Sequence, residues 1–141
     1  MRRRYVSFSL GAARYCIPVE EVLQILRHEN LMEIPKAPPF IEGVINLRGD
    51  VVPVVSLRER FGIGKTAELR KQRIIVAQAA GKVYGLAVDD VREIVEIDDA
   101  AVRDDRPQAI GAGSAFVRGM AQLGADLCMI LDLPGVLRPG G

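Results

Sequence analysis

Apolar and polar positions alternate in short runs along the chain, and turn residues break the runs at regular intervals. "YVSFSL" (Tyr5–Leu10) and "RYCIPV" (Arg14–Val19) flank Gly-Ala-Ala. "GVINL" (Gly43–Leu47) and "VVPVVSL" (Val51–Leu57) flank Arg48-Gly49-Asp50. "RIIVAQA" (Arg73–Ala79) and "VYGLAV" (Val83–Val88) flank a turn with Gly81, and "FVRGMAQL" (Phe116–Leu123) and "DLCMILDL" (Asp126–Leu133) flank Gly124-Ala125. Apolar runs of this length around glycine turns predict β-hairpins, and four at this spacing predict an all-β fold, barrel or sandwich. Pro53 cannot donate to a ladder, so its strand should lie at an edge or carry a bulge.

Helical signals are brief. "PVEEVLQIL" carries Val19, Val22, Leu23 and Leu26 at helix-like spacing, although its end can equally extend as a strand. "SLRERFG" opens on Ser56, a candidate N-cap, and closes on Gly62, a candidate C-cap. "GIGKTAELRKQ" reads as a linker, and Asp98 to Ser114 as a loop.

The chain also matches itself. "YCIPVEEVLQIL" (Tyr15–Leu26) aligns with "YGLAVDDVREIV" (Tyr84–Val95), and "GVINLRGDVVPVVSL" (Gly43–Leu57) with "GMAQLGADLCMILDL" (Gly119–Leu133). Two similar β units of roughly 60 to 70 residues follow, each too small to bury much apolar surface alone. They are expected to share a core and to leave a groove at their junction. The repeat is also an internal control. The turn is present twice, but Arg48-Gly49 of the first copy is Gly124-Ala125 in the second, so the turn does not demand an arginine.

Composition narrows the class. The 141 residues are 49% hydrophobic and 26% charged, as in an ordinary folded domain. A formal net charge of +1 supplies no field for nucleic acid or anionic membrane, and Arg2 to Arg4 reads as a solvated N-terminal cap. Cys16 and Cys128 lie in apolar runs and read as buried free thiols, with a disulfide left open. No signal peptide and no membrane-length apolar run is visible, so the expected compartment is the cytoplasm.

Catalytic material is sparse. His28, the only histidine, sits in the polar stretch "LRHENL". No nucleophile has a recognisable context. "GIGK" lacks the phosphate-loop spacing, and the pairs Asp89-Asp90, Asp98-Asp99 and Asp104-Asp105 lack the ligand pattern of a calcium loop. No cofactor, metal or catalysis is expected; a small β-barrel enzyme remains the rival class. The "RGD" tripeptide falls in a tight hairpin without an export signal, which argues against an adhesion loop.

"Y-x-I-x-x-x-x-V", "I-P-x-x-P-x-F-I-x-G-V-I-N-L-R-G" and "V-V-P-V-V-x-L-R" together resemble the CheW family, coupling proteins of bacterial chemosensory arrays, from Tyr5 to about Val136. The resemblance implies two five-stranded SH3-like β-barrel subdomains around a common hydrophobic core, with short helices. It implies one domain over residues 1–141, with the termini of the subdomains interleaved. The implied role is a non-catalytic adaptor between methyl-accepting chemoreceptors and the regulatory domain of a CheA-type histidine kinase. Barrel edges would meet the kinase, and a groove would hold the receptor's cytoplasmic tip. Partners would be protein only, with no nucleic acid and no direct membrane insertion, and membrane arrays would be reached through protein contacts. Residue by residue, the receptor groove maps onto Val22, Gln24, Ile45, Arg48 and Val51.

Three features depart from the family pattern. Gln24 stands where the family commonly has a glutamate able to pair with the motif arginine, which removes a charge-assisted contact. Ser56 stands where aspartate is frequent, and the C-terminus "LRPGG" is short. An array with a non-chemotaxis output, governing surface motility or gene expression, fits as well. A regulatory domain detached from a larger protein is a further alternative.

Overall fold

Short acidic corners, Glu20-Glu21 and Asp89, mark where the chain crosses between two sheets. In the computed structural model, residues 1–38, 40–64, 71–103 and 116–137 are described. They form β1 (Arg2–Leu10), β2 (Ala13–Pro18), β3 (Val22–Arg27), β4 (Ile41–Leu47), β5 (Asp50–Ser56), α1 (Leu57–Arg60), β6 (Arg73–Ala79), β7 (Lys82–Val88), β8 (Asp90–Asp98), β9 (Val117–Leu123), β10 (Asp126–Leu131) and α2 (Leu133–Val136). Two five-stranded sheets result, with strand orders β8-β1-β2-β10-β9 and β3-β6-β7-β5-β4. The all-β expectation holds. Most of the linker after Gly64 and of the loop after Arg103 lies outside the described residues.

The internal repeat is visible in the strand registers. β1 to β5 correspond to β6 to β10, and this substitution converts one strand order into the other. Ile94 faces Val6 as Ile25 faces Ile75, and Gly119 faces Ile130 as Gly43 faces Val54. Each hairpin keeps to one sheet, but the strands that follow β1–β2 and β6–β7 cross over. β3 leaves β1–β2 to pair with β6, and β8 leaves β6–β7 to pair with β1. Residues 1–70 and 71–141, made separately, should therefore each lack a cooperative melt and regain one on mixing. A cooperative melt by either fragment alone would contradict the exchange.

Strands buried on both faces explain the near-continuous apolar runs. Phe8, Tyr15 and Ile17 of one sheet and Ile75, Leu86 and Val88 of the other share the central cluster. The opposite faces fill smaller cores, with Cys16, Cys128 and Ile130 in the first sheet and Ile45, Val54, Ile74 and Val76 in the second. Both cysteines are free and fully buried. The chain after β3 returns to β4 through two Met32–Val44 backbone bonds of 2.8 Å, and the chain after β8 returns to β9 through Arg103–Met120 bonds of 2.8 and 2.9 Å. These connections tie the two edges of each sheet together.

Several local expectations are modified. The helix-like spacing of Val19 to Leu26 yields only a 3₁₀ turn at Val19–Glu21 before β3 extends along β6. Arg2 to Arg4 are exposed, as a solvated cap would be, and form the start of β1. They lie beside acidic residues of β8 and of the turn after it, with Arg2 Nη1 3.7 Å from Glu96 Oε2 and Arg3 Nε 3.0 Å from Asp99 Oδ1. Pro53 is in an interior strand, yet the β5–β7 ladder begins only at Val54, so Pro53 precedes it. Ser56 caps α1, its Oγ accepting from Glu59 N–H at 3.3 Å, and Gly62 follows the helix with φ +74°.

Candidate functional site

The β4–β5 turn holds its two residues in the left-handed region, Arg48 at φ +53° and Gly49 at φ +90°. Positive φ at both positions matches the twist of the flanking strands in a two-residue hairpin. Asn46 pins the turn by accepting from Gly49 N–H at 2.9 Å, which gives the asparagine of "NLRG" a physical task. The β9–β10 turn differs in type, since only Gly124 of its pair has positive φ, +60°. There Gln122 donates to the Gly124 carbonyl at 3.1 Å. The second copy is thus a looser control for Arg48 than the repeat implies. The stricter one is Ala80-Gly81 in the same sheet, at φ +54° and +77°. An alanine builds that geometry, so the guanidinium of Arg48 is not required by the turn. A non-glycine residue there is strained by about 1 kcal/mol.

Arg48 is exposed, and among the described residues its guanidinium has no hydrogen bond or ion pair. Val51, next along β5, is 67% exposed, an unusual state for a strand valine. Gln24 is exposed on β3 opposite Val76, between Leu23 and Ile25, which are 49% and 42% exposed. Val22 is half-buried, begins the irregular part of β3, and packs against the central cluster. Ile45 departs from expectation. It is fully buried in the inner core of the second sheet, so it supports the surface from below and cannot line a groove. In strand order β3 and β5 are separated by β6 and β7, and no hydrogen bond joins Gln24 to Arg48.

The repeat duplicates some of this exposure. Ile94 and Leu127, the counterparts of Ile25 and Val51, are 53% and 41% exposed. Sequence reasoning missed Leu23, Ile25, Ile94 and Leu127, although their apolar character on polar strands is the signal that finds them.

Two charge clusters frame the molecule. Arg58 donates Nε and Nη2 to the two oxygens of Asp89, each at 2.6 Å, while Gly11 N–H donates to the same carboxylate at 2.7 Å. Burial works to raise the Asp89 carboxyl, but the Arg58 fork and the Gly11 amide outweigh it and hold the group below its usual value. Arg14 reaches Glu93 at 2.7 Å and Asp126 at 3.0 Å, and the Glu93 contact chiefly raises its pKa. His28 Nε2 lies 2.7 Å from Glu42 Oε1, a contact between β4 and the turn after β3. Among the described residues no group of three or more His, Cys, Asp or Glu is arranged to hold a metal, and no helix is long and apolar enough to cross a membrane.

Comparison with known proteins follows the same lines. The CheW-like domain model matches residues 4–139. A chemotaxis protein CheW from Rhizobium meliloti is 30% identical over 134 residues, 95% of this chain and 86% of that protein. Protein FrzA from Myxococcus xanthus is 31% identical over 113 residues, 80% of this chain and 69% of that protein. The crystal structure of the scaffolding protein TtCheW from Thermoanaerobacter tengcongensis superposes with a TM-score of 0.89 at 35% identity, covering 100% of this chain and 91% of the other.

Proposed function

This chain belongs to the CheW-like domain family, and we propose that it is a non-catalytic adaptor coupling methyl-accepting chemoreceptors to a CheA-type histidine kinase. It acts in the cytoplasm and reaches the membrane array through protein contacts. The receptor tip docks on the surface carrying Arg48, Val51, Gln24 and the exposed edge of Val22, and the kinase regulatory domain docks on sheet edges. The observation that carries this reading is Arg48 itself, held exposed and unpaired in a left-handed turn that an alanine can build elsewhere in the same sheet. A group kept at a conformational cost, with no partner in its own chain, suits a task at an interface.

The surrounding chemistry supports the reading. Val51, Leu23 and Ile25 offer apolar area, while Arg48 offers a planar donor to carboxylate or carbonyl groups of a helical tip. Gln24 accepts a hydrogen bond but no longer supplies the charge common in the family. The likeness to FrzA, named apart from the chemotaxis proteins, supports a second reading as coupling protein of a non-chemotaxis array. Co-purification tests the proposal. The tagged protein should retain both a CheA-type kinase and a receptor cytoplasmic fragment from the same cells. Retention of neither would refute it, and retention of the kinase alone would refute the receptor half.

A further inference from the structure

The two pseudo-equivalent sheets differ at one end, the end that carries Arg48 in the second sheet and Gly124 in the first. In the first sheet this end is closed from within. The β2–β10 ladder runs to the Arg14–Cys128 pair. Arg14, with its side chain 14% exposed, spreads over the end and donates to Glu93 at 2.7 Å, Asp126 at 3.0 Å and Ser7 Oγ at 3.2 Å. Ser7 passes the connection on by donating to the Glu93 carbonyl at 2.6 Å. One guanidinium therefore ties β1, β2, β8 and β10 together.

The corresponding positions of the second sheet are Val76 for Ser7, Val83 for Arg14, Gln24 for Glu93, Asp50 for Asp126 and Pro53 for Met129. Two independent changes leave this end without that polar tie, while Val76 and Val83 join the apolar cluster beneath it. Val83 supplies no donor to Gln24 or Asp50. The β5–β7 ladder has Val54↔Gly85 as its first pair, two positions short of where its counterpart starts, because Pro53 cannot extend it. Beside this displaced ladder, which has the same three pairs as its counterpart, stand the exposed Val51 and the unpaired Arg48.

We propose that positions 14 and 83 set which end of this pseudo-symmetric protein receives the receptor. Arg14 closes the end of the first sheet from inside. Val83 leaves Gln24 and Asp50 at the matching end of the second sheet without an internal donor, and there the receptor tip supplies the hydrogen-bond donor that Arg14 supplies in the first. The protein then has one receptor-facing end instead of two. This inference rests on the receptor reading above and names its specificity determinant.

The test grafts the closed end onto the open one, with Val83→Arg alone and combined with Pro53→Met. The probe is the cytoplasmic fragment of the cognate receptor, titrated calorimetrically beside a thermal melt and kinase co-purification. The grafted arginine should find Gln24 and Asp50, leave the melt and kinase retention unchanged, and weaken receptor binding at least tenfold. Arg48→Gly serves as the reference that loses receptor binding without adding a plug. Wild-type receptor affinity in both grafts, with Arg48→Gly impaired, would overturn the inference and leave the receptor reading standing. Wild-type affinity in all three would overturn both. Should the double variant not fold, Val83→Arg and the shorter Val83→Gln carry the comparison.

Discussion

Gly43→Ala should destabilise the protein by about 3 kcal/mol, read as a lowered urea midpoint at unchanged slope. A Cβ at residue 43 would sit 2.4 Å from the Met32 carbonyl oxygen and 3.0 Å from Leu31 Cδ1. The first is backbone, so the clash cannot be relieved by rotating a side chain. Relief means moving the segment after β3 away from β4, which breaks the paired Met32–Val44 bonds of 2.8 Å. Each bond contributes roughly 1 kcal/mol, and the strain of partial relief adds to that. The repeat sharpens the expectation. Gly119, the counterpart, would place its Cβ 2.9 Å from Val102 Cγ1 and 3.1 Å from the Arg103 carbonyl oxygen. A side chain is the nearest obstacle there, so Gly119→Ala should cost less. Equal midpoints for Gly43→Ala and the wild type would contradict the close approach.

Arg58→Ala should have an effect of similar size, with a pH signature. Its two 2.6 Å bonds to Asp89 join α1 to the corner between β7 and β8, and Gly11 brings the β1–β2 turn to the same carboxylate. The side chains are 16% and 13% exposed, so the pair is mostly desolvated. Removing one partner of such a pair costs about 3 kcal/mol, because the remaining charge is left with a single amide donor. Asp89 is held below its unfolded value, so it contributes stability that is present above the unfolded pKa and lost as pH falls through the folded one. The wild type should lose stability across the acid range below the usual carboxylate pKa. Asp89→Asn should start less stable near neutrality and show a shallower acid loss. Parallel acid limbs for wild type and Asp89→Asn would contradict the role assigned to the fork.

Some of this was legible in the residues. "RIIVAQA" reads as a strand and is one over Arg73–Ala79, because both faces of its apolar stretch Ile74 to Ala77 are buried and only Gln78 is exposed. β3 and β8 were harder. Each is an edge strand with a largely exposed face, and the pattern of "VLQILR" mixes helical and extended spacing. Their identity depends on partners in the other half of the chain, which local periodicity does not report. Ile45 shows the limit for site residues. It is apolar and two residues from the "LRG" turn, but strand parity points it into the core with Gly43, whereas Val51 lies beyond the end of that core. Composition alone does not say where a strand outruns its buried face. The arginine cluster at Arg14 left no local motif, since Ser7, Glu93 and Asp126 come from three other strands.

On the proposed function, the unpaired Arg48 serves a receptor and not the fold. Titration of the receptor cytoplasmic fragment into the wild type and Arg48→Gly, each with a thermal melt, tests it most directly. Arg48→Gly should melt at or slightly above the wild-type temperature, because glycine relieves the strain at φ +53°, and should bind the receptor fragment at least tenfold more weakly. A lower melting temperature with unchanged receptor affinity would contradict it and make Arg48 a residue of the turn.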